Sequence, residues 1–202
     1  MATTSERALA PEMIREELRE KRSLGHSGMV LFLGSWAMMF GALFFCYALL
    51  RIRAPFWPPL GMTELPLALP GLNTLLLLLS SATMQGALSG LRRGRLARFR
   101  RHLLATILLG SLFTALQCAV WIELWSAGLR LDSGTYGGLF YLLTVFHILH
   151  VLVGLGLLLW LLGPTLRRQA TAPRRVPVTL ASMFWHFVDA VWVVMFLSVY
   201  VL

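Results

Sequence analysis

The sequence predicts an all-α integral membrane protein, a bundle of five transmembrane helices. Three observations carry that prediction. The chain of 202 residues is 57% hydrophobic and only 13% charged, with a mean hydropathy of +0.72, where a soluble domain carries about a quarter charged residues. Five apolar runs are each long enough for the ~20 residues that cross a bilayer. The positive charge is segregated between these runs rather than spread along the chain. The net charge of +9 is almost wholly arginine, since Lys21 is the only lysine. In so apolar a chain this excess marks membrane-flanking loops, not nucleic-acid binding.

In chain order, residues 1–26 read as a polar cytoplasmic tail and residues 27–202 as the membrane domain. The tail lacks the short apolar core and cleavage site of a signal peptide, so no leader is expected. Residues 11–24 predict a short surface helix. Pro11 suits its start, Glu12, Glu16 and Glu17 its early turns, and Arg19, Lys21 and Arg22 its end, which matches the helix dipole. The spans then read roughly as residues 27–50, 67–91, 103–126, 138–162 and 178–201. Lys and Arg number five in the tail, six between spans two and three, and four between spans four and five. The other two connections hold only Arg51, Arg53 and Arg130 between them. This asymmetry predicts a cytoplasmic N-terminus and a C-terminus outside, periplasmic in a bacterium. An odd number of spans agrees. The first outer connection, residues 51–66, carries Pro55, Trp57, Pro58, Pro59 and Gly61 and predicts an ordered loop at interface depth. Cys46 and Cys118 are isolated in apolar runs and read as small hydrophobes.

The informative residues are polar ones inside the spans: Gln117 and Glu123 on span three, His147 and His150 on span four, His186 and Asp189 on span five. An aspartate near mid-span costs about 2.5–3.5 kcal/mol on insertion, so Asp189 needs company. Trp185, Asp189 and Trp192 fall at i, i+4 and i+7, which sets the carboxylate between two indoles on one face. On span four, His147, His150 and Gly154 share a face at i, i+3 and i+7. His150 and Asp189 lie at similar depth and can meet if spans four and five are neighbours, with Gly154 and Gly156 permitting close approach. The preferred reading is a polar clasp in which the imidazoles hydrogen-bond to Asp189 and to backbone. Sharper alternatives are a haem held by His147 or His150 with His186, a metal held by histidines with Asp189, and proton transfer through Asp189 or Glu123. No nucleophile–base pair, phosphate loop or Cys cluster accompanies them.

Several motifs in register resemble a known family. The closing WHFVDAVWVVMFLSVY is similar to the C-terminal helix of cytochrome c oxidase subunit III, with its Trp-His-Phe-Val-Asp-x-x-Trp sequence. Span four, SGTYGGLFYLLTVFHILHVLVG, resembles that family's Tyr-Gly-x-x-Phe followed by His-x-x-His-Val-x-x-Gly. The WPP and LPLALPGLNTLLLLLSSATM of span two, FTALQ of span three and MFGALFFCYALLR of span one also fit. The resemblance runs from about Val30 to Tyr200. It implies a five-helix prokaryotic form without the two additional N-terminal helices of longer members. It further implies a subunit that binds no haem or copper itself, packs against subunit I and other oxidase subunits, holds structural phospholipid, and supports proton uptake in a bacterial inner membrane. Asn73, Gln117, His147, His150, His186 and Asp189 match the family's polar packing positions. Two positions depart from it. The family's acidic residue after the span-one serine is Trp36 here, and the Glu that commonly follows Gln117 by three residues is Val120, although Glu123 persists.

The leading expectation is therefore a non-catalytic subunit III of an aerobic oxidase fed by cytochrome c or quinol. An accessory subunit of a nitric oxide reductase is the second reading. A stand-alone transporter or bis-histidine cytochrome is the third; the chain lacks the paired broken helices and inverted repeat of many transporters.

Overall fold

The computed structural model describes residues 4–57, 67–166 and 175–201. All regular structure there is helical: α1 Thr4–Arg53, α2 Ala68–Arg92, α3 Leu96–Ser126, α4 Gly134–Leu166 and α5 Arg175–Phe196, which closes in a π-helical turn, Leu197–Val201. All five helices are long and apolar enough to cross a membrane. The predicted fold class and the number of spans agree with this architecture.

Boundaries differ in instructive ways. The short surface helix expected at residues 11–24 is not separate. It is continuous with the first span in a single α1 of 50 residues, about 75 Å long at 1.5 Å per residue. No proline interrupts the chain between Pro11 and Pro55, so nothing ends the helix at the membrane surface. Helices α3 and α4 likewise begin before the apolar runs do, because helix continues into the polar flanks. Of the expected outer loop, Pro58, Pro59 and Gly61 lie outside the described residues, as do Arg167, Arg168 and Arg174.

Helices α2 and α3 form a hairpin. Gly94 stands at φ +68° after α2; Arg95 N–H donates to Gly90 O at 2.9 Å and Gly94 N–H to Leu91 O at 3.1 Å. This left-handed glycine cap satisfies the last carbonyls of α2 and reverses the chain. Gly128, at φ +94°, closes α3 in the same manner through Leu129 N–H to Leu124 O. The Tyr141 hydroxyl then bonds Leu129 O at 2.8 Å, fixing the start of α4 against that turn.

Contacts run α2 to α3, α3 to α4, α4 to α5 and α5 back to α2, a closed four-helix arrangement, and α1 lies outside it against α5. Half of the apolar stretch of α4 and of α5 is buried, against 6% for α1. Lipid solvates apolar side chains as well as protein does, so α1 holds its place through few contacts.

Candidate functional site

The centre of the bundle is Trp185, fully buried. Its ring occupies a slot between two glycines on neighbouring helices. A methyl group at Gly110 of α3 would stand 2.7 Å from the ring, and one at Gly154 of α4 2.9 Å from it. The indole N–H donates to Ser80 Oγ of α2 at 3.0 Å. One side chain of α5 thereby touches α2, α3 and α4, and its single polar atom is satisfied. Close approach at Gly154 matches the sequence expectation; Gly156 instead faces open space.

Two turns on, Trp192 repeats the device. It is fully buried and donates to Thr74 Oγ1 at 3.0 Å. Phe113 packs edge-on against it, 4.7 Å between centroids. Below these rings Asn73 Nδ2 donates to Gln117 Oε1 at 3.2 Å, a buried bond between α2 and α3. The Tyr200 hydroxyl, carried inward by the π turn, lies beside Gln117 without a well-formed hydrogen bond. Trp121 ties α3 to α4 through Thr144 at 3.1 Å.

The polar clasp expected between α4 and α5 does not form. His147 is fully buried in an aromatic box, 5.2 Å from Trp192 and 5.9 Å from Phe113, and neither ring nitrogen has a hydrogen-bond partner. His150, three residues on, turns away from α5. It donates from Nδ1 to Phe146 O, and its ring meets Trp36 at 4.1 Å and Phe40 at 5.2 Å, both on α1. His186 meets α2, its Nδ1 2.6 Å from Ser81 Oγ. Asp189 is 4% exposed, and neither carboxylate oxygen has a hydrogen-bond donor. The Ser81 hydroxyl lies beside it without a well-formed hydrogen bond and also meets His186. The correction has a geometric cause: three helix positions differ by about 60° around the axis, enough to put His147 and His150 in different seams, and α5 carries Asp189 toward α2. Of the expected pairings, only the backbone bond of His150 is present; the buried Asn73–Gln117 bond is a pairing the sequence did not indicate. Glu123 is exposed near the end of α3 and stands apart from the others.

The imidazoles thus occupy three different seams, which does not assemble the two-histidine haem site. Among the described residues no group of three or more His, Cys, Asp and Glu side chains converges as metal ligands. Cys46 and Cys118 are free and exposed rather than buried as expected. Sequence reasoning missed Ser80, Ser81, Thr74 and Trp36 as the partners of Trp185, His186, Trp192 and His150. The adjacent serines in mid-span were the available signal, since a hydroxyl inside a span either bonds its own helix or waits for a neighbour.

Residues 20–202 match the family model described as cytochrome c oxidase subunit III. The chain is 37% identical to the cytochrome c oxidase subunit 3 of Synechocystis, over 87% of this chain and 74% of that protein. It is 34% identical to that of Thermostichus vulcanus, over 87% of this chain and 86% of the relative. With the protein of the same name from Loxodonta africana, identity is 35% over 92% of this chain and 76% of the relative. A match that spans nearly the whole membrane domain, at these identities, places the chain in the cytochrome c oxidase subunit III family.

Proposed function

We propose that this chain serves as the non-catalytic subunit III of a respiratory haem–copper oxidase in a bacterial plasma membrane. Its main partner is the haem-bearing subunit I, fed by cytochrome c or quinol. The observation that carries this reading is the tryptophan-centred bundle within a family match of nearly full length. The interior polar groups mostly join helices, and among the described residues no group of three or more His, Cys, Asp and Glu side chains converges. Relatives named as oxidase subunits favour the oxidase over a nitric oxide reductase.

Three further parts of the proposal have separate support. The arginines Arg92, Arg93, Arg95, Arg98, Arg100, Arg101 and Arg175 gather at one end of the bundle, with Arg175 bonding Arg92 O at 3.3 Å. That end is the cytoplasmic one by the positive-inside rule. Structural phospholipid is supported by a hollow of about 160 Å³ between α1, α4 and α5, lined by Phe32, Trp36, Leu149, Val153 and Phe184. Apart from His150, its lining residues are apolar or aromatic, and the hollow is partly exposed on the outside of the bundle, which suits an acyl chain. Support for proton uptake is indirect in this reading. The polar side chains stand in separate seams and make no continuous file, so protons travel through the partner while this chain holds it in shape.

The test is purification of the tagged chain from native membranes. Haem and copper are expected to co-purify with it, and the chain expressed alone is expected to show no haem absorbance. Stoichiometric haem on the isolated chain overturns the proposal. In a companion test, Val153→Trp fills the hollow and is expected to lower the phospholipid retained per chain, read by mass spectrometry.

A further inference from the structure

Most hydroxyls in the spans need nothing from outside, because each bonds a carbonyl of its own helix: Ser35 to Phe32 O, Thr114 to Gly110 O, Ser198 to Val194 O. An imidazole or a carboxamide carries a second polar atom that a bond to its own helix leaves over, as His150 Nε2 shows, and one that reaches the outside of the bundle within the hydrocarbon layer cannot lie against acyl chains. His186 and Gln85 are two such groups on a single seam.

His186 is partly exposed on α5, and Gln85 is exposed on α2 one turn from Ser81. Ser81 precedes Arg92 by eleven residues and His186 follows Arg175 by eleven, while Arg175 and Arg92 are bonded at the arginine-rich end. Ser81 and His186 therefore lie about 16 Å into the membrane at 1.5 Å per residue, near the middle of a ~30 Å hydrocarbon layer, and Gln85, seven residues before Arg92, lies about 10 Å in, within the same layer. Ser81 holds Nδ1 of His186 and leaves Nε2 for another partner. Behind it sits the unpartnered carboxylate of Asp189. The outward surface on either side is shaped for close approach. Ala82 on α2 and Ala190 on α5 are exposed, flanked by exposed Leu75, Leu78 and Val194. Small residues between larger apolar ones are where membrane helices approach each other. The outward positions of α4, by contrast, are apolar at the same depth: Leu149, Leu152, Val153 and Leu157.

We propose that the outer face of the α2–α5 seam, centred on Gln85, His186 and Ala190, docks a transmembrane helix of a partner oxidase subunit that brings a hydrogen-bonding side chain to mid-membrane depth. The helix rests between Ala82 and Ala190, and its polar side chain meets His186 and Gln85. The inference deepens the subunit III reading and depends on it.

The experiment places a photo-crosslinking amino acid at Gln85 and at Ala190, with Leu152 of α4 and Ile122 of α3 as controls, in the chain expressed with its native complex. Crosslinks to the haem-bearing subunit are expected from Gln85 and Ala190 and not from the controls. Alongside, Ala190→Trp is expected to remove most co-purifying haem while the isolated variant unfolds in SDS as wild type does; Leu152→Trp is expected to change neither. His186→Leu is expected to lower haem per chain about three-fold, the ratio corresponding to a membrane hydrogen bond of ~0.6 kcal/mol, and His186→Gln to restore it. Crosslinks to the haem subunit from α3 or α4 alone, or full haem with Ala190→Trp, overturn this face and leave the subunit reading standing. Wild type that co-purifies with no haem-bearing chain overturns both.

Discussion

At the scale of the residue, two kinds of buried side chain behave oppositely. Trp185 fills a slot between Gly110 and Gly154 and spends its N–H on Ser80. Trp185→Ala is expected to cost about 3–5 kcal/mol, the usual range for emptying a large aromatic site. Gly110→Ala, which drives a methyl into the ring, is expected to cost about 1–3 kcal/mol. Both are read by SDS unfolding of the isolated chain in micelles. Asp189 makes no hydrogen bond that a substitution would break. Asp189→Leu removes a buried polar group without a well-formed partner and is therefore expected to leave that unfolding unchanged or to stabilise the chain by up to about 1–3 kcal/mol, and a loss comparable to that of Trp185→Ala would reveal a donor for the carboxylate within this chain. For assembly, Asp189→Asn is expected to be milder than Asp189→Leu, because an amide keeps a polar group beside Ser81 where leucine has none. Residue types and their depth were legible in the sequence for Trp185, Gly154, His186 and Asp189, whereas Gly110 carried no signal of its own. Their partners were not legible. Helical spacing tells which residues of one helix share a face, but not which neighbour that face meets, and three positions around an axis were enough to separate His147 from His150.

At the scale of the helix, the sequence located all five spans because a ~30 Å apolar layer imposes a length that composition reveals directly. It erred where no such rule acts. Nothing in residues 12–54 stops a helix, so the tail and first span are one rod. Trp36 has its explanation at this level. Where the family carries a carboxylate, the indole meets His150 edge-on at 4.1 Å and ties α1 to α4 through ring contact. An aromatic pair of this kind contributes about 0.5–1.5 kcal/mol, so Trp36→Ala is expected to loosen α1 selectively. Hydrogen exchange should rise in α1 and stay unchanged in α2–α5. Equal loss of protection throughout would mean that α1 belongs to the same cooperative unit as the rest. Val120, fully buried in the apolar core, shows the companion departure resolved the same way, by packing in place of charge.

At the scale of the whole molecule, the tight α2–α3 hairpin and the α3–α4 seam form from adjacent sequence, whereas α5 closes the bundle against both α4 and α2 and also holds α1. The order of biosynthesis gives this a consequence. Of the five helices, the one that leaves the ribosome after the other four is the one whose Trp185 fills the slot lined by Ser80, Gly110 and Gly154. Until it inserts, four spans can sit in the bilayer with a groove down their centre and no means of closing it. A chain released early is thus marked as incomplete by its own shape, in a form that membrane proteases and chaperones can read before any partner is engaged.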